Sequence, residues 1–171
     1  AAVSVQAGNS GQQTGGYVSI RSGAGAAGFS SGIVNLASRD AAEAGASGGV
    51  QINTGATTSG DTGSVSVVSG NVANSGKAGD INLSVGLSKY TAGGAVRMTA
   101  GSATATSSFG GVVEVTAGMG VAQGGDVQIS AGLATDPTTA KGGKTTISGG
   151  DSTAYGGDVL INTGAGTAYS S

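Results

Sequence analysis

The chain has 171 residues, of which 36 are glycine and only 9% are charged, so it carries much less charge than an average soluble domain. Seven Lys and Arg against nine Asp and Glu give a net charge of −2 without any basic cluster, which excludes the dense positive charge needed to bind nucleic acid or an anionic membrane. Histidine and cysteine are absent, so disulfides, thiolate metal sites and the commonest catalytic bases are excluded as well. No run of 18 apolar residues occurs, and we expect no membrane insertion.

Eleven triplets of the form apolar-x-apolar recur along the chain at intervals of about 14–18 residues. Residues two apart in a strand point to the same face, and the middle residue is polar in ten of the eleven triplets. Each triplet therefore predicts a strand with one face in a core. In chain order the triplets are Val3–Val5, Val18–Ile20, Val34–Leu36, Val50–Ile52, Val65–Val67, Ile81–Leu83, Val96–Met98, Val113–Val115, Val127–Ile129, Thr145–Ile147 and Val159–Ile161.

A glycine stands two residues before every triplet except the first. A second glycine follows three residues after each triplet, with Arg39 as the exception, and the residue before it is small in nearly every repeat. Glycine tolerates left-handed or strained backbone at no steric cost, so both sets predict sharp corners between strands. The predicted structural corner glycines before the triplets are Gly16, Gly32, Gly48, Gly63, Gly79, Gly94, Gly111, Gly125, Gly143 and Gly157.

The spacing of the triplets predicts how the strands are arranged. Every second interval lengthens along the chain, from 15 to 18 residues, while the intervals between them shorten from 16 to 14. Each successive pair therefore adds up to about 31 residues, as expected for a closed turn of constant perimeter. We therefore expect an all-β fold, a parallel β-solenoid (β-helix) of 11 repeats with two strands per coil of about 31 residues. Residues 1–171 form a single solenoid domain in this interpretation, uncapped at both ends. A coil of half this length, with one triplet per turn, stays open, because it would stack Asp126, Lys144 and Asp158 as a charge ladder and place Arg97 beside Glu114.

Motifs that carry chemistry are weak in this sequence. Residues 23–28 match Gly-x-Gly-x-x-Gly but lead into another strand, whereas a dinucleotide site needs a helix there. Aspartates precede only three triplets, at Asp80, Asp126 and Asp158, while calcium-binding repeats need one in every turn. We therefore predict no catalytic, cofactor or metal residues. The sequon at 82–84 adds glycans to the partners to be considered.

Two nine-residue segments, 124–132 and 156–164, read Gly-Gly-Asp-Val-Gln-Ile-Ser-Ala-Gly and Gly-Gly-Asp-Val-Leu-Ile-Asn-Thr-Gly. They resemble the Gly-Gly-x-Val-x-Ile/Leu-x-x-Gly repeats of large secreted proteins of algae and related stramenopile microbes. The likeness covers nearly the whole chain, with Arg39 and Thr145 as departures from the pattern. It implies an extracellular β-solenoid used in surface fibres, walls or adhesives.

The predicted function is that of a non-catalytic extracellular structural protein, located outside the cell or at its surface. It would be a rigid solenoid module that assembles end to end or belongs to a longer fibre, filament or wall protein. Because the ends of a solenoid expose unpaired backbone, its partners would be copies of itself or adjoining solenoid segments at both ends.

The alternative is an ice-binding solenoid, which would use a flat face rich in Thr and Ser. The candidate residues for that face are Thr58, Thr104, Thr135, Thr153 and Thr167.

Overall fold

The computed structural model describes residues 1–43 and 45–164, and neither stretch contains a helix or a β-strand. The predicted parallel β-solenoid is therefore wrong. A sheet requires a ladder of backbone hydrogen bonds between neighbouring strands. The described residues make nine backbone hydrogen bonds, and none of them joins one triplet to another, whereas a folded domain has about one hydrogen bond per residue. Since these residues form no helix, they also provide no apolar helix that could cross a membrane.

The chain divides into two units, Ala1–Leu83 and Ser84–Ser171. Within each unit, straight extended segments that carry the triplets alternate with connections that turn the chain. Each connection contains one bend or turn, so that a single triplet separates each turn from the next. The structural repeat is therefore one triplet with one connection, and the predicted two-triplet coil has no counterpart in the described residues. The turns lie at 11–13, 27–29, 43, 58–60, 73–76, 89–91, 105–107, 121–122, 137–139 and 153–154.

The turn at 27–29 shows how a connection reverses the chain. The Phe29 N–H donates to the Ala26 carbonyl at 2.9 Å, and Gly28 has a φ of 82°. A positive φ at the third residue is the signature of a type II turn, which favours glycine there because a Cβ would be strained. This turn therefore forms from local interactions, although the predicted sheet does not form.

Side chains of the triplets are exposed in a regular pattern. In the second to eleventh triplets, the large apolar residue at the first position is 48–59% exposed, and the one at the third position is 65–84% exposed. No residue of the described part of the chain is buried, so the predicted core is absent there. The repeat nevertheless places equivalent side chains in equivalent surroundings from one triplet to the next.

Candidate functional site

The recurring local structure is a backbone hydrogen bond that closes a connection at its base. The N–H of the glycine before a triplet donates to the carbonyl of the glycine that follows the preceding triplet. We call this pair a glycine neck. The necks closed by this bond, with N···O distances of 2.8–3.0 Å, are Gly16–Gly8, Gly32–Gly23, Gly111–Gly101, Gly125–Gly118, Gly143–Gly132 and Gly157–Gly150.

Close approach explains why a glycine precedes the triplet. A Cβ added to Gly143 would lie 3.2 Å from the Cβ of Ala131, the small residue before the carbonyl glycine, and 3.1 Å from the Gly132 nitrogen. We call the residue in the position of Ala131 the packing residue of the neck. At the neck of Gly157 the packing residue is Gly149, where even a Cβ would overlap the Gly157 carbonyl oxygen. Two backbone segments meet here with no room for side chains between them.

Whether a neck is closed by the hydrogen bond depends largely on the size of its packing residue. The neck bond is present wherever this residue is alanine or glycine, and it is absent at the two β-branched residues, Thr54 and Val85. Val85 Cγ1 lies 2.8 Å from the position that a Cβ on Gly94 would occupy. A branched packing residue therefore keeps the two segments of the neck apart. Serine occurs in both classes, with a closed neck at Ser22 and open ones at Ser38 and Ser69.

The corner glycines predicted from sequence therefore have a different physical role. Among the described residues, positive φ occurs in glycine only at Gly28, Gly60 and Gly76, all of them inside connections. None of the ten glycines before the triplets is among them, so left-handed backbone does not select glycine there. Close packing does so where an added Cβ would lie 2.8–3.3 Å from the preceding segment, at Gly16, Gly32, Gly94, Gly111, Gly143 and Gly157, whereas a Cβ at Gly48, Gly63 or Gly79 would make only ordinary contacts of 3.7–3.9 Å. Arg39, the departure from the pattern, occupies the carbonyl position of an open neck.

The packing residues are also the best covered part of the repeat. Most residues of the described chain are exposed, and the few that are half-buried are mainly packing residues. The column of small residues faces the neck of its own repeat. The packing residues with partial cover are Ala7, Ser69, Ala100, Ala117 and Gly149.

The candidate ice-binding threonines lie at or beside the turns. Thr58 begins a bend in the first unit, and Thr153 begins a bend in the second. Thr104 lies directly before the turn at 105–107, Thr135 lies two residues before the turn at 137–139, and Thr167 lies outside the described residues. Since residues 1–43 and 45–164 form no sheet, the flat face assumed for these threonines is not formed there. The ice-binding alternative stays a prediction.

Neither a cavity nor a cluster of three metal-ligating side chains occurs in the described part of the chain. Its single ion pair joins Lys77 Nζ to Asp80 Oδ1 at 2.8 Å, between side chains that are both exposed. We call the side of a triplet opposite its apolar pair the outward side. The charged residues on the outward side of later triplets, among them Arg97 and Glu114, are exposed. The described part of the repeat therefore presents apolar pairs and separate, exposed charges.

Asp136 organises the turn at 137–139. Its Oδ1 accepts hydrogen bonds from the Thr139 and Thr138 N–H groups at 2.8 and 2.9 Å, and from the Thr138 and Thr139 hydroxyls at 2.9 and 3.1 Å. Pro137 sets the backbone angle at the position where proline favours such a turn. The backbone bond from Thr139, followed by the other three, lowers the pKa of the Asp136 carboxyl to about 2.

We expect the Asp136 turn to depend on pH only in strong acid. Because its pKa in the turn lies below the value of 3.8 for a free carboxyl, the turn is stabilised at pH values above about 4 and loses that stabilisation as the pH falls through about 2. An NMR titration should show the Thr138 and Thr139 amides shifting with a midpoint near 2. In Asp136→Asn the acceptor is retained, and this acid transition should vanish. A midpoint near 4 in the unaltered chain would contradict the assigned hydrogen bonds.

No family model, curated protein or solved structure matches this chain.

Proposed function

We propose that this chain is a non-catalytic structural protein, located outside the cell or at its surface, whose triplets are completed by other copies of the same chain. The observation that carries the proposal is the exposure of the apolar pairs in extended segments, which bond to no other triplet among the described residues. Contiguous apolar surface in water is unfavourable and favours association. Extended backbone with free N–H and C=O groups is a template for pairing with another chain.

The accessible surface indicates how much must be covered. The chain exposes 17254 Å². A folded monomer of 15.8 kDa exposes about 7,300 Å². The excess, about 10,000 Å², is several times the ~1,600 Å² buried in a standard protein interface. A partner that touches one patch would leave most of the triplets exposed, so the partner has to follow the repeat.

A second copy of the chain is a partner that follows the repeat along its whole length. It presents apolar pairs at the same intervals, and its turns recur in the same places between them. A net charge of −2 produces little repulsion between copies. The absence of His and Cys from the sequence supports a non-catalytic role, and the secreted location rests on the likeness of the repeats to those of extracellular proteins.

Concentration-dependent association tests this proposal. We expect sedimentation velocity to show monomers at low micromolar concentration and large assemblies above a threshold. Circular dichroism should gain strand signal at the same threshold, and aligned material should diffract at about 4.8 Å and 10 Å. A chain that stays monomeric and without strands at all concentrations would overturn the proposal. Thermal hysteresis from such a monomer would favour the ice-binding alternative.

A further inference from the structure

We infer that a second copy pairs with the Val96–Ile161 repeats in parallel orientation and displaced by one repeat, so that each triplet lies beside the following triplet of its neighbour. The inference rests on the proposed self-association and adds its register. It is carried by the charges on the outward side of these repeats.

Two outward positions of the repeat carry these charges. One is the middle residue of the triplet, where Arg97 and Glu114 occur in successive repeats. The other is the residue directly before the triplet, where Asp126, Lys144 and Asp158 occur in three successive repeats. These two positions are two residues apart along an extended chain, so they share the face opposite the apolar pair. All five side chains are exposed.

Pairing in register would place each of these five charges beside its own copy, about 4.8 Å away. Like charges directly opposite one another on neighbouring strands are unfavourable. A displacement of one repeat instead places Arg97 beside Glu114, Asp126 beside Lys144, and Lys144 beside Asp158. It forms three opposite pairs and no like pair. A displacement of two repeats brings Asp126 beside Asp158 and forms no opposite pair.

Contacts within the chain leave these charges available. Glu114 Oε1 accepts a hydrogen bond from the Thr116 hydroxyl at 3.2 Å, which holds the carboxylate on the outward side without neutralising it. Asp80 provides a contrast, because its ion pair with Lys77 supplies an opposite charge within its own repeat. The residues at its position in the adjacent repeats, Ser64 and Ala95, carry no charge. In the Val96–Ile161 repeats, by contrast, contacts among the described residues supply no opposite charge, and another copy can supply it.

Disulfides between engineered cysteines show which triplets lie side by side, and the chain contains no cysteine of its own that would interfere. Gln128→Cys and Thr146→Cys each place one thiol at the middle of adjacent triplets. In an equal mixture of the two variants, one of them labelled with ¹⁵N, mass spectrometry distinguishes the dimers formed on oxidation. We expect the mixed disulfide between positions 128 and 146 to exceed the statistical half of all dimers. Disulfide bonding needs Cβ atoms about 3.5–4.5 Å apart, which paired strands approach and unpaired chains do not maintain.

Other outcomes separate the register from the association itself. A majority of 128–128 and 146–146 dimers would overturn the displacement while leaving self-association intact. A statistical mixture formed by assembled chains would also overturn it. Chains that remain monomeric, with no disulfide above that of a denatured control, would overturn both proposals.

Charge reversal provides a second measurement. Lys144→Asp converts two opposite contacts of the displaced register into like contacts, so we expect the threshold concentration for assembly to rise about tenfold. Lys141→Asp makes the same change in the adjacent connection, and it should leave the threshold nearly unchanged. Combining Lys144→Asp with Asp126→Lys and Asp158→Lys should restore assembly. Equal effects of the changes at 141 and 144 would contradict the proposed register.

Discussion

Exchanging the first two residues in both Val-Gln-Ile triplets should reduce self-association by 100-fold or more. The variant carries V50Q with Q51V, and V127Q with Q128V, and therefore has the same composition and charge as the original chain. Each exchange moves one valine from the apolar side of the triplet to its outward side, because successive side chains of an extended segment alternate. Burial of a valine contributes about 1.5–3 kcal/mol. Two exchanges then cost about 3–6 kcal/mol per copy, and about 3 kcal/mol corresponds to roughly 100-fold in affinity.

The threshold concentration for assembly, measured by sedimentation, is the quantity that checks this expectation. A matched control exchanges neighbouring residues in two connections, with A103T and T104A, and A134T and T135A. These positions belong to no triplet, so the control should assemble like the original chain. If both variants assembled equally well, the apolar pairs would not be the surface through which the copies associate.

Gly143→Ala should open the neck between Gly143 and Gly132. The new Cβ would lie 3.1 Å from the Gly132 nitrogen and 3.2 Å from the Ala131 Cβ, so the two backbone segments have to move apart by a few tenths of an ångström. The N–H of residue 143 would then lose its 3.0 Å hydrogen bond to the Gly132 carbonyl. A hydrogen bond of this kind contributes about 0.5–1.5 kcal/mol net. Protection of that N–H from hydrogen exchange should therefore fall about two- to tenfold, as measured by NMR on the dilute chain.

Gly132→Ala is the control for this experiment, since it lies in the same neck but nothing stands within 4 Å of the position of its Cβ. It should keep the neck closed and the exchange protection intact. Val85→Ala tests the converse, because it removes the methyl group that lies 2.8 Å from the Cβ position of Gly94. We expect the N–H of Gly94 to gain protection. An unchanged exchange rate in both Gly143→Ala and Val85→Ala would rule out packing size as the determinant of the necks.

The turns of the described residues recur with the same spacing as the triplets, but the predicted coil of two triplets and the solenoid built from it are wrong. The glycines at Gly16, Gly111 and Gly143 do mark recurring structural positions, yet they serve close backbone contact rather than the predicted left-handed corners. Alternation within a triplet such as Val127–Ile129 shows which side chains share a face. It does not show whether the neighbouring strand belongs to the same chain or to another one, because both arrangements require the same alternation. The solenoid prediction assumed that it belongs to the same chain.

The small packing residues illustrate the same limit. Ala117 and Ala131 would suit a thin core between two sheets as well as they suit a neck, since both environments demand little volume. Only the geometry distinguishes them, through the contact of each with the glycine before the next triplet. A glycine-rich chain also loses much conformational entropy on ordering, which opposes the formation of regular structure.

The necks also make the length of a connection independent of the geometry at its base. The bond from Gly125 to Gly118 encloses residues 119–124, and the bond from Gly143 to Gly132 encloses the longer stretch 133–142. Because the entropy of closing a flexible loop rises only slowly with its length, an insertion in a connection changes the stability of the neck little. We therefore expect that foreign peptides can be grafted into the loops above closed necks, one per closed neck, without shifting the triplets that flank them.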